Sequence, residues 1–200
     1  MSRITNHESR ITGRRRFLAL GGLGLTGVLA GWTFQDKKLE ITESNIEGPF
    51  YRKDAPFRAK LAEGLKGDPL AISGKVLAPD GTLLKDAVVD VWQADKEGDY
   101  DNESDKYLLR GRLRTDKDGL YTYETVMPGQ YDLGESKRPA HIHYKVAVDG
   151  HKKLTTQLYF KGDKYIEKDP FVRKSLIIEL KKDEEKKRLA GTFDIVLAKA

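Results

Sequence analysis

Residues 138 to 146 read RPAHIHYKV and set two of the chain's four histidines either side of one isoleucine. In an extended strand successive side chains alternate faces, so residues two apart stand about 7 Å apart on one face. Ile142, Tyr144, Val146 and Val148 then form an apolar face, and His141 and His143 point together to the other, beside Lys145 and Ala147. Two imidazoles held side by side on a stiff element suit a metal ion. The same pair also suits a partly exposed polar strand face, and the motif alone does not separate the two readings.

Two histidines rarely complete a metal site. His7 stands near the start of the chain, and His151 follows the Asp149-Gly150 turn, at a loop tip. A cupin-type set would need a glutamate three or four residues on, where Ala147 and Val148 stand. The chain has no cysteine, which excludes thiolate zinc sites, iron–sulfur clusters, cysteine nucleophiles and disulfides. Any metal must be held by His, Tyr, Asp or Glu. Tyrosine is the informative choice among the nine present, because phenolate is a hard anionic donor suited to ferric iron. Free phenol ionises near pH 10, but a trivalent cation favours its deprotonation at neutral pH, as it does for bound water.

The elements that must position these residues read as strands. LAISGKVLAPDGTLL is strand, Pro-Asp-Gly turn, strand; DAVVDVWQAD alternates Val89, Val91 and Gln93 against Val88, Asp90 and Trp92. GRLRTDKDGLYTYETVMPGQY reads as a hairpin turning at Asp118-Gly119, and HIHYKVAVDGHKKLTTQLYF as another turning at Asp149-Gly150. GTFDIVLA is the expected last strand, and the charged run in SLIIELKKDEEKKRLAG is expected to be solvated surface around a short helix at most. Short strands punctuated by Gly and Pro predict an all-β fold, an antiparallel β-sandwich with long active-site loops.

The net charge of +5 over 200 residues is uneven. Residues 1 to 30 hold five arginines and one acid, Glu8, and without them the net is +1. The remainder offers no global field for a polyanion, so nucleic acid is not an expected partner. Arg14-Arg15-Arg16 precede a glycine-rich apolar run from Phe17 to Ala30, too short to span a bilayer comfortably. This pattern predicts a twin-arginine-type signal peptide over 1–30, ending at Val28-Leu29-Ala30, with no stable membrane span after processing. Residues 31–45 are then a polar tether and 46–200 the exported domain, periplasmic or extracellular.

With these pieces in order, the sequence resembles the intradiol ring-cleavage dioxygenases, in particular the iron-binding subunit of protocatechuate 3,4-dioxygenase. The resemblance runs from EGPFY at 47 through WQADKEGDY, PGQY and RPAHIH to TTQLYFKGD, ending at 163. Each piece is weak alone, and the ordered set is specific. It implies a non-haem Fe(III) cofactor held by Tyr100, Tyr131, His141 and His143. Tyr100 and His141 would stay bound throughout, His143 would be the axial histidine, and Tyr131 the axial tyrosine that leaves when a catechol binds. Arg138 would stabilise negative charge moving onto the ring, and Gln157 would lie near the reacting oxygen. The partners implied are a catecholic substrate and O₂, and the product a cis,cis-muconate type diacid. Tyr107 competes with Tyr100 but lacks its motif; Tyr121 and Tyr123 read as packing residues.

Two features separate this chain from its model family. Protocatechuate enzymes combine two related chains, whereas this is one short chain, for which a homo-oligomer is compatible. Lys137 stands before the Arg-Pro step where the family often has an aromatic residue. The competing class is a non-catalytic transthyretin-like exported β-sandwich binding module, which shares the strand rhythm and needs no metal.

Overall fold

A computed structural model describes residues 38–134 and 136–200. The predicted signal peptide, and the tether as far as residue 37, lie outside the described residues. Twelve strands are present among those described: β1 (Pro69–Leu77), β2 (Val88–Gln93), β3 (Arg110–Arg114), β4 (Leu120–Val126), β5 (Tyr131–Leu133), β6 (Ser136–Arg138), β7 (His141–Ala147), β8 (Leu154–Phe160), β9 (Ile177–Ile178), β10 (Lys181–Asp183), β11 (Arg188–Thr192) and β12 (Ile195–Val196). The only helical segments among the described residues are two 3₁₀ turns, Ile166–Lys168 and Lys174–Leu176.

The all-β expectation is met, but the pairing is mixed rather than antiparallel throughout. One sheet runs β3-β2-β7-β8-β9. In the other, β1 is flanked on one side by β4 and on the other by β11 and β12 in succession, with β10 outside β11. β1 runs parallel to β11 and β12, and β8 parallel to β9. The expected hairpin at Asp118-Gly119 is not one: β3 pairs with β2 and β4 with β1, so this turn carries the chain from one sheet to the other. The strand expected after Pro79-Asp80-Gly81 is reduced to a single bridge, Leu77 to Leu83. The expected last strand is split at Phe193, whose backbone N–H bonds Ser73, and Asp194, whose carboxylate accepts Lys75 N–H. The charged run near the C-terminus forms the β10–β11 hairpin rather than a helix.

Apolar alternation places one core between the inner faces of both sheets. Ile72, Val76, Tyr121, Tyr123 and Ile195 from one sheet meet Val89, Val91, Ile142, Tyr144, Val146 and Leu158 from the other. Burying such side chains contributes about 1.5–3 kcal/mol each before entropy is set against it. The phenol groups of Tyr123 and Tyr144 hydrogen-bond each other inside this core, so these tyrosines are packing residues, as is Tyr121, whose hydroxyl donates to Phe193 O.

The described part of the tether is extended and tied down. Leu39, Thr42 and Asn45 N–H bond Pro79, Val196 and Thr155 carbonyls. The chain then crosses the outer face of β2, β7 and β8, the face that carries the two histidines.

Candidate metal centre

The β7–β8 hairpin and the β2–β7 pair set the site's framework. Their registers place His141 opposite Tyr159, and His143 between Gln157 on β8 and Trp92 on β2. His141 and His143 share the face away from the core, as their spacing predicts. They are not a half-exposed polar pair: they are 2% and 1% exposed. Loops cover them, with Gly48 packed so closely that a Cβ there would lie 3.5 Å from His143 Cε1.

Tyr131 opens β5 and is the cross-strand partner of Arg138 at the end of β6, three residues before the histidine strand begins. Tyr100 arrives on the loop after β2. Two glycines let that loop touch the one carrying Tyr131. Gly98 has φ +99°, and a Cβ on it would lie 2.6 Å from Gln130 O; one on Gly129 would lie 2.4 Å from Lys96 O. Gly129 N–H also donates to Asp95 O. The glycines of WQADKEGDY and PGQY are thus what lets the two tyrosines meet.

All six predicted site residues come together. His141 Nε2 lies 3.2 Å from His143 Nε2 and 3.4 Å from Tyr100 Oη. Arg138 Nη1 is 3.4 Å from Tyr131 Oη and 3.5 Å from His141 Nε2. Gln157 Oε1 accepts from Arg138 Nη2 at 2.9 Å, and its amide donates to Ile46 O at 2.8 Å. Tyr107, the competitor for Tyr100, instead points its hydroxyl at Lys53 O and stacks under Arg52.

Burial makes the two histidines of this cluster neutral donors. Burial, then the Arg138 charge, pushes His141 down to about 3; burial and the neighbouring His141 and cations hold His143 well below its ordinary value. His141 Nδ1 lies 2.7 Å from Pro139 O, an acceptor only, so the proton is on Nδ1 and the Nε2 lone pair faces inward. Burial, with Tyr131 beside it, keeps the Tyr100 phenol protonated well above its ordinary range. Among the described residues no three His, Asp or Glu side chains form a metal-binding group. A metal here would therefore draw on Tyr100, Tyr131, His141 and His143, two nitrogens and two hard oxygens, a set that fits Fe(III).

Several residues of the site escaped the motif reading. Tyr159 donates to Gln157 Oε1 at 2.7 Å and accepts from Arg138 Nη2 at 3.0 Å, and burial pushes its phenol up to about 12. The signal was present, since a hairpin about Asp149-Gly150 puts residues 157 and 159 beside 143 and 141. Trp92 stacks on His143 at 4.8 Å and 9°, and Phe50 on Tyr100 at 4.3 Å and 14°. Asp163 and Asp169, on the loop after β8, bind Ala140 N–H and Arg138 respectively; Asp163 closes the TTQLYFKGD motif, whereas nothing in local pattern marks Asp169. A cleft of about 380 Å³ opens beside the two tyrosines, lined by Phe50, Tyr100, Gln130, Tyr131 and Lys137 among others.

A β protein with paired histidines, paired tyrosines and a buried arginine at one sheet face defines the class to which the comparisons point. The dioxygenase family model matches residues 46–199. The chain belongs to this family, the intradiol dioxygenases of the protocatechuate 3,4-dioxygenase type. It is 36% identical over 168 residues to a chlorocatechol 1,2-dioxygenase of Cupriavidus pinatubonensis, covering 72% of this chain and 66% of that one. It is 36% identical over 178 residues to a catechol 1,2-dioxygenase of Acinetobacter lwoffii, covering 73% and 65%. The chain thus spans just under two thirds of these relatives' length. The dioxygenase domain of a dioxygenase carbohydrate-binding protein fusion from Streptomyces sp. SirexAA-E has a similar structure, with 34% identity, a TM-score of 0.72, and coverage of 80% of this chain and all of that one. A 3-chlorocatechol 1,2-dioxygenase from Rhodococcus opacus has 29% identity, a TM-score of 0.75 and coverage of 83% and 75%.

Proposed function

We propose that the chain is a non-haem Fe(III)-dependent intradiol dioxygenase that cleaves a catechol between its two hydroxylated carbons to a cis,cis-muconate type diacid, built on a β-sandwich. The observation that carries this reading is the convergence of Tyr100, Tyr131, His141 and His143 around one point, with Arg138 beside it. The catechol and chlorocatechol 1,2-dioxygenases among its relatives support it. The transthyretin-like binding module has no use for these buried donors.

Tyr100, Tyr131, His141 and His143 would hold the iron, which when bound supplies a Lewis acid that ionises the catechol and makes its ring reactive toward O₂. The protein's own residues account for the rest. The cleft of about 380 Å³ beside Tyr100 and Tyr131 has room for an aromatic ring. Tyr131, beside Arg138 at the cleft, would be the tyrosine that gives way to substrate and accepts a hydroxyl proton as its phenolate. Arg138 Nη1, within 3.4 Å of Tyr131 Oη, offers fixed positive charge where negative charge develops on the ring. Gln157 holds the far edge of that guanidinium. Trp92, stacked on His143, and the Gly48 turn beside it help keep water from that histidine.

Iron content, visible spectrum and catechol-dependent O₂ uptake test the reading together. Protein reconstituted with ferric iron should be red-brown from tyrosinate charge transfer and consume O₂ with catechol. His141→Ala/His143→Ala should be colourless and inert. A double variant that kept iron and colour would sink the ligand assignment, and a colourless, inert wild type would sink the enzyme. We also propose export by the twin-arginine route. Changing Arg14 and Arg15 to lysine should hold the precursor in the cytoplasm, because the receptor reads guanidinium pairs; unchanged export would point to another route.

A further inference from the structure

Arg138 has five N–H donors in a rigid fork, and each has a partner. Nη1 faces Tyr131 Oη and His141 Nε2, Nη2 binds Gln157 Oε1 and Tyr159 Oη, and Nε donates to Asp169 Oδ2 at 2.7 Å. Of these five partners only Asp169 is a carboxylate. The two side chains are each 2% exposed, so little solvent screens the pair. Asp169 is itself held. Its Oδ1 accepts Phe171 N–H at 2.7 Å, Asn45 Nδ2 donates to Phe171 O at 2.7 Å, and the Phe171 ring lies 5.0 Å from the guanidinium carbon. The loop after β8 is thus fastened at two neighbouring points, by Phe171 to Asn45 and by Asp169 to Arg138.

We propose that Asp169 is the positioning residue of Arg138. It fixes the Nε edge of the guanidinium, and the planar fork then aims Nη1 at the space between Tyr131 and His141. Without it, no carboxylate remains among the partners of a buried cation beside two tyrosines. The guanidinium would then be free to turn toward whichever phenol is ionised, leaving the direction in which charge develops on substrate. A carboxylate is suited to this task, because it binds guanidinium with strong directional bonds and, once buried, has no water competing for its lone pairs. The geometric part stands on the contacts alone; its consequence for turnover rests on the intradiol reading.

The test is Asp169→Asn, with Asp169→Glu beside it, in the full chain. Two readouts are followed: the Arg138 Nε–H signal in ¹⁵N-arginine-labelled, iron-free protein, and kcat and KM for catechol with ferric iron bound. Asp169→Asn should displace the Arg138 signal and lower kcat at least about tenfold, short of the roughly hundredfold to thousandfold cost of deleting such a donor outright, because Arg138 is misaimed rather than lost. KM should stay within about twofold, since the loss falls on the transition state, and the charge-transfer colour should be unchanged. Asp169→Glu, which keeps the charge, should restore part of the rate. Wild-type kcat in Asp169→Asn, or a loss matching only a smaller folded fraction, would overturn the proposal. Should Asp169→Asn fail to fold, Asp169→Glu decides: a displaced signal with undiminished kcat overturns the proposal, and signal and rate falling together support it. Were the wild type inert toward catechols, the function reading would fail while the Arg138 signal still judged the positioning claim.

Discussion

His141 and His143 differ from Tyr100 and Tyr131 in what their surroundings make them do. The imidazoles are held neutral by burial, and neutral imidazole is the ligating form. The Tyr100 phenol is also held neutral by burial, and phenol is not the ligating form. The site is therefore half-prepared by the fold and completed only by a strong cation. The two tyrosines are also unequal. Tyr100 is stacked on Phe50 and contacts His141 Nε2, whereas Tyr131 faces Arg138. Tyr131→Phe should still bind iron and catechol but turn over slowly, having lost the phenolate that accepts a substrate proton. Tyr100→Phe should fail earlier, with poor iron retention or lost colour even when catechol is present. Iron content and visible spectra, each with and without catechol, separate the two; wild-type turnover in Tyr131→Phe would reverse the assignment. At this scale the sequence was highly legible. The His-x-His spacing gave the shared strand face directly, and ordered motifs supplied the tyrosines, Arg138 and Gln157. Asp169 was not legible, because a lone acid on a loop carries no pattern until the loop's path is known.

Among elements, the decisive feature is the apposition of the loop after β2 and the loop before β5. Gly98 and Gly129 let two backbones approach closer than any side chain allows, and this contact brings Tyr100 within reach of Tyr131. Gly98→Ala would be strained twice, by its φ of +99° and by a Cβ 2.6 Å from Gln130 O. It should lower stability by about 1–3 kcal/mol, the usual cost of a strained backbone position, and weaken the charge-transfer band more than Gly64→Ala, where nothing lies within 4 Å. Thermal melts and spectra of the two variants check this, and equal spectra would show that the apposition does not set the site. Strand identity was largely readable from alternation, but pairing was not. The Asp118-Gly119 turn has hairpin chemistry, yet β3 and β4 part to different sheets because β4's tyrosines are needed against β1 and Tyr144. The parallel partners of β1 lie more than a hundred residues downstream, where no local signal reaches.

For the molecule as a whole, buried titratable groups set the response to acid. His141 and His143 bind protons in the unfolded chain near pH 6.5 but resist them when folded, so between pH 6 and 4 the unfolded state gains about two protons over the native state. Asp90 works the other way. Burial raises its carboxyl to about 6 against the hydrogen bond from Tyr51, so the folded state holds up to one proton more. About one net proton favours unfolding, and stability of the iron-free protein should fall by roughly 1.4 kcal/mol per pH unit below pH 6 and be flat in these groups above pH 7. Asp90→Asn should steepen the acid slope toward two protons. Urea melts across pH 4 to 8 check both; a slope of opposite sign would mean that the histidines are protonated in the native state.

The central claim is that four converging side chains, aided by Arg138, open a catechol ring between its hydroxylated carbons. Mass analysis of the product formed from catechol under ¹⁸O₂ tests it most directly. The account predicts a cis,cis-muconate type diacid carrying both atoms of one O₂ molecule, made by the iron-loaded wild type and absent with His141→Ala/His143→Ala. A ring opened beside the diol, a quinone without ring opening, or unchanged catechol in the presence of bound iron would contradict it.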